Sequence, residues 1–206
     1  PNYFGSQRFG RDNLRQARDW LVAGGRAPRD RFVRRLIVSA FQSGAFNDSL
    51  ARRVDATREG ADLAALRPGE LCRVEASGGL FVVAPGTEDA EAARVAAWET
   101  SPTGPLFGPK MPWPEADAAA EERALAASWG FSDAVLGRLG KLGAGTRRPI
   151  RVRPGELGRR TLDDGSWELR FTLPPGSYAT VLLRELHGDG EEGVPGTERD
   201  PRSLRP

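Results

Sequence analysis

One apolar stripe limits what this chain can become. Phe32, Val33, Leu36, Ile37, Ala40 and Phe41 recur at helical spacing, and Ala45, Phe46 and Leu50 carry the same rhythm onward. Apolar residues three and four apart share one side of an α-helix. The pattern predicts a long helix opening at Pro28-Arg29-Asp30, with Gly44 as a point of bending. That stripe has to be buried against the rest of the chain, and there the period changes. Residues 70–74 and 80–83 read as two short strands joined around Ser77-Gly78-Gly79, a hairpin signal. Thr87-Glu88-Asp89 opens a helix. Residues 101–114, SPTGPLFGPKMPWP, carry too much proline and glycine for either element. Residues 115–129 read as a helix ended by Gly130, and residues 132–139 as another with Ser132 as its N-cap. Residues 148–153 and 166–173 read as strands, and Ser177 opens a last helix reaching about residue 186. Near the start, residues 13–23 form a short helix stopped by Gly24-Gly25, with Asp12 as its cap. Helices and strands mix without a regular βαβ alternation, so the expected class is α+β.

Composition removes several functions. No apolar run is long enough to span a membrane. The single cysteine, Cys72, excludes an internal disulfide, suggests a reducing compartment and reads as core packing. The single histidine, His187, excludes a histidine-based metal cluster and reads as a helix-terminal residue facing the dipole. CxxC, HExxH and GxSxG are absent, and Gly140-Lys141-Leu142 fails as a phosphate loop because Ser or Thr must follow the lysine.

Charge is segmented. Residues 1–60 hold twelve arginines against six acids, and residues 61–146 hold seven basic residues against twelve acids. Residues 147–186 hold eight arginines against five acids. Arginine forks match phosphate oxygens, so polyanion binding is open beside a plain solvated surface. Two segments concentrate side chains suited to a nucleotide. PNYFGSQRFG, residues 1–10, puts Asn2 and the aromatics Tyr3, Phe4 and Phe9 beside Arg8 in one loop. Asparagine hydrogen-bonds a base edge, an aromatic stacks on it, and arginine holds a phosphate. LPPGSYATVLLREL, residues 173–186, presents Tyr178 on the first turn of a helix. For each aromatic alone, core packing is the competing reading.

Together these segments resemble the tRNA pseudouridine synthase D family, whose signature contains NYFG-x-QRFG and, much later, GS[YF]AT-x-x-x-REL. Both occur here in order, at residues 2–10 and 176–186. Between them lie SAFQSGAFN at 39–47, SPTGPLFG at 101–108 and TRRPIRV at 146–152. The resemblance implies an enzyme that isomerises uridine to pseudouridine in tRNA, at position 13 in bacteria, without a cofactor and in the cytoplasm. It implies a catalytic domain with a second α+β domain inserted into it. Residues 1–27 and 153–187 would then be catalytic-domain pieces, 28–152 the insertion, and 188–206 a loose polar tail. Asn2 matches the family's substrate-contacting asparagine, Phe4 the aromatic beside the target base, and Tyr178 the aromatic of the second motif. The family's catalytic aspartate sits in a GxKDxxA-type motif that this sequence does not contain. The nucleophile is therefore expected upstream of Pro1, with the chain as the C-terminal part of a longer protein and inactive alone. A binding module that holds RNA without chemistry is the alternative.

Overall fold

The computed structural model describes residues 1–187, so the expected tail lies outside the described residues. Its centre is the long helix. Asp30 caps it by accepting from the Phe32 and Val33 N–H groups at 2.6 and 3.3 Å, and the helix (α2) runs over Arg31–Arg58. From Ile37 to Ala51 it is buried on more than one side, because two apolar clusters meet it. One gathers Ile37, Phe41 and Ala45 with Leu21, Phe107, Trp129 and Leu139, and the other Ala40, Phe46 and Leu50 with Tyr3, Phe4, Phe9, Ile150 and Val181. A helix that is apolar around its circumference belongs inside. The stripe nonetheless overshoots the core, since Phe32 is 69% and Leu36 38% exposed. The helix runs unbroken through Gly44. A Cβ there would lie 2.7 Å from the Trp129 ring, so glycine is what lets that ring close onto α2.

Before α2, residues Asn13–Ala17 form α1, which loosens into a π-turn over Arg18–Val22. Asp12 occupies the capping position, but its carboxylate pairs with Arg15 at 3.3 Å and accepts no capping N–H. After α2 come β1 (Leu71–Val74), β2 (Leu80–Val82), α3 (Glu88–Ala96), β3 (Thr100–Leu106), α4 (Ala116–Trp129), α5 (Asp133–Leu139) and β4 (Thr146–Pro149). The strands form an antiparallel sheet in the order β2-β1-β3-β4. Gly130, at φ 80°, ends α4, and Ser132 caps α5.

The expectation that residues 101–114 hold no regular element is wrong for the first six of them, which belong to the interior strand β3 between β1 and β4. The prolines fit because a sheet loses only the bond their missing N–H would have made. Ile150 donates to Pro102 O at 3.0 Å, and Pro102 has no N–H to return. The Ile150 carbonyl instead accepts the Asn2 N–H at 2.8 Å. The strand expected over 148–153 is displaced: β4 stops at Pro149.

A separate antiparallel hairpin follows, β5 (Gly155–Thr161) with β6 (Trp167–Thr172). β5 escapes a sequence reading because GELGRRT has no apolar alternation. The ribbon holds by its ladder, by Arg160 to Glu168 at 2.9 Å, and by Arg159 stacked 3.7 Å over Trp167. The last helix, α6, spans Ala179–His187. Tyr178 immediately precedes it, its carbonyl accepting from Val181 and Leu182. Among the described residues, no helix is long and apolar enough to cross a membrane.

Candidate functional site

The opening residues form a strap between β4 and α2. Asn2 anchors it on one side, its backbone N–H on Ile150 O and its Nδ2 on Pro149 O at 2.9 Å. Asn47 of α2 anchors the other side. Its Oδ1 accepts the Phe4 N–H and its Nδ2 donates to the Phe4 carbonyl, both at 2.9 Å. The Phe4 ring is thereby set edge-on to Phe46 at 5.5 Å and to Tyr178 at 6.1 Å. Tyr178 arrives from near the other end of the described chain and lies over Gly5, where a Cβ would stand 2.9 Å from its ring. Arg8 closes the cluster: Nε donates to Tyr178 Oη and Nη1 to Ser39 Oγ, each at 3.0 Å.

Arg148 supplies the charge. Its Nη2 donates to Asn2 Oδ1 at 2.6 Å and to Gly176 O at 3.0 Å, and its guanidinium lies 4.1 Å from the Phe4 centroid. Arg8 approaches the same ring at 5.1 Å. Burial pushes the Arg148 guanidinium down to about 10, further than the neighbouring Tyr178 raises it, and the nearby Arg8 charge lowers it too. No ion pair with a carboxylate holds Arg148 among the described residues. A half-desolvated cation satisfied only by carbonyl and amide oxygens attracts an anion. The contrast is its neighbour Arg147, whose side chain is 1% exposed and forks onto Glu122 at 2.6 and 2.7 Å. Asn2 and Arg148 open on a groove of about 540 Å³ that runs on past Arg151, Arg153 and Trp98.

Similarity to known proteins decides the family. The family model described as tRNA pseudouridine synthase D matches residues 12–186. The chain belongs to the tRNA pseudouridine synthase D family. A tRNA pseudouridine synthase D of Anaeromyxobacter sp. (strain Fw109-5) is 40% identical over 97% of this chain and 57% of its own length. One from Thermus thermophilus is 37% identical over 90% of this chain and 49% of its own. The chain thus spans about half the length of the curated relatives it matches. The crystal structure of a Methanosarcina mazei protein named for the same synthase superposes with a TM-score of 0.59 at 26% identity. That match covers 87% of this chain and 44% of the other.

Of the residues the family resemblance singled out, Asn2, Phe4 and Tyr178 come together, with Arg8 bonded to Tyr178. Phe4 is only 5% exposed, so it serves the core and the cluster at once. Sequence reasoning missed Asn47 and Arg148. Asn47 stands inside the SAFQSGAFN segment, and a fully buried asparagine amid an apolar helical run is a signal that its side chain has backbone to satisfy. Arg148 stands in TRRPIRV beside Arg147. Strand alternation sends the two side chains to opposite faces, which sequence alone does not assign to groove or core.

Proposed function

We propose that the chain is part of an enzyme that isomerises uridine to pseudouridine in tRNA and works in the cytoplasm. The observation that carries this reading is the cluster of Asn2, Phe4, Tyr178, Arg8 and Arg148 at one end of a basic groove. In the reaction the bond from N1 to the ribose C1′ breaks, the base turns, and C5 bonds to C1′. N1 gains a proton and C5 loses one, so atoms balance without a cofactor. Asn2, whose Nδ2 holds Pro149 and whose Oδ1 holds Arg148, has one amide N–H left for the edge of the base. Phe4 and Tyr178 lie edge-on to each other behind Arg148 at the end of the groove and supply the aromatic surface that recovers stacking lost when the base leaves its helix. Arg8 and Arg148 hold phosphate. The attacking carboxylate comes from the GxKDxxA-type segment of the family, upstream of residue 1. Residues 1–27 and 153–187 then belong to the catalytic domain and 28–152 to the insertion. Phe4, Phe46 and Val181 sharing one cluster makes that boundary a packed one.

Isomerisation expels the C5 hydrogen, which gives a direct assay. A tRNA carrying 5-tritiated uridine is incubated with this chain alone, and with this chain joined to the N-terminal half of the Anaeromyxobacter relative. Tritium is expected in water only from the joined protein. Release by the chain alone would overturn the placement of the carboxylate, and none from a folded joined protein would overturn the function. Phe4→Leu and Tyr178→Leu, which remove the ring at a smaller loss of packing than alanine, are the variants to compare in kcat, because Phe4→Ala alone costs about 3–5 kcal/mol of core packing.

A further inference from the structure

The far end of the groove has its own construction. Arg151 lies 3.9 Å from the Trp98 centroid and is fixed there by Ser101 Oγ at 3.1 Å, Thr100 O at 2.9 Å and Val95 O. Arg153 stands over the same ring at 5.9 Å. Arg73 joins them from β1, and Trp98 holds a left-handed backbone at φ 60°. Among the described residues, none of Arg73, Arg151 and Arg153 makes an ion pair, and Glu75 is the one carboxylate lining the groove. Elsewhere the arginines of this region are neutralised, as Arg147 is by Glu122 and Arg53 and Arg67 are by Glu70. Within the groove Glu75 alone faces these cations, and it and Asp62 act on Arg151 from beyond ion-pair distance.

We infer that Arg73, Arg151, Arg153 and Trp98 form a second binding arm for the single-stranded RNA that flanks the target nucleotide. Arg73 and Arg153 take successive phosphates, and the Trp98–Arg151 stack takes one base without regard to its identity. Aromatic and guanidinium planes combined with unneutralised cations are the means by which proteins track a single strand. A duplex keeps its bases stacked on one another and offers none to Trp98. This inference rests on the RNA reading above but needs neither uridine nor catalysis, so the two fail separately.

The probe is a labelled oligoadenylate of about ten nucleotides, which offers phosphates and bases but no uridine, titrated with the whole chain over a range of salt. Removing one arginine–phosphate pairing lowers the slope of log affinity against log salt by about 0.7 for single strands. Arg73→Gln with Arg153→Gln is expected to lower the slope by about 1.4. The affinity gap to the unaltered chain then shrinks about sevenfold between roughly 50 and 200 mM salt. Trp98→Ala is expected to weaken binding about fivefold or more with a smaller change of slope. Arg26→Gln with Arg29→Gln removes equal charge from exposed positions and is expected to leave the slope unchanged. Equal slope losses in both double variants would mean diffuse attraction. That result, no binding by the unaltered chain, or equal preference for duplex RNA overturns the arm. Thermal melts of each variant confirm that the fold is kept. Loss of tritium release with this binding pattern intact would sink the proposed function and leave the arm standing.

Discussion

Replacing Asn47 with alanine is expected to unfasten the strap that carries Phe4. The Asn47 side chain is fully buried and serves both backbone groups of Phe4, at 2.9 Å each. Truncation removes two hydrogen bonds, and its larger effect is to strand a donor and an acceptor where water does not reach. Each stranded group costs about 1–3 kcal/mol. The middle of that range puts the total near 4 kcal/mol, roughly 8–16 °C in Tm for a chain of this size. Urea unfolding followed by circular dichroism reads the change as a lower midpoint at unchanged m-value. Asn47→Asp separates geometry from volume. It keeps an acceptor for the Phe4 N–H but sets a carboxylate oxygen against the Phe4 carbonyl, so it is expected to recover nothing over alanine. A loss below about 1 kcal/mol for Asn47→Ala, or full stability for Asn47→Asp, would refute the claim that this side chain fixes the strap.

Glu122→Ala leaves the Arg147 guanidinium buried without its carboxylate and is expected to cost about 3 kcal/mol or more by urea unfolding, while Glu122→Leu with Arg147→Met restores most of it. Burial raises the Glu122 carboxyl despite the Arg147 hydrogen bonds. A raised folded value means that the native state holds its proton longer. The stability margin of the unaltered chain over Glu122→Gln should therefore fall as pH rises from 4.5 toward the raised value, then level off; a margin rising over that window contradicts the assignment. Burial, with some help from Glu70, pushes the Cys72 thiol up to about 12, so alkylation by iodoacetamide at about pH 8 should proceed only at the rate of unfolding. Rapid labelling of folded protein would show the thiol accessible.

The sequence carried its local signals well. Asp30 capping a long helix, Gly130 ending α4, Ser132 capping α5 and the Ser77-Gly78-Gly79 hairpin are each decided within a few residues, by φ preference or by a side chain reaching a nearby N–H. The signature segments also marked Asn2, Phe4 and Tyr178 as belonging together. Where the outcome depended on partners far along the chain, local reading failed. The prolines of β3 looked like breakers because nothing nearby shows which N–H the sheet leaves unused.

What the sequence determined alone was the α+β class, most element starts and stops, the family, and the residues of the aromatic cluster. What tertiary structure decided was how charge and burial are shared out. The segment 61–146 is acidic by count, yet its Glu70, Glu121 and Glu122 are consumed in ion pairs, and its Arg73 and Trp98 face a groove beside Arg148 and Arg151. Likewise Phe32 and Phe41 lie on one helical stripe, but only Phe41 meets a core. A side chain's periodicity is fixed by its own backbone. Its neutralisation and burial are fixed by whichever distant segment arrives opposite it, and that is settled only when the whole chain has packed.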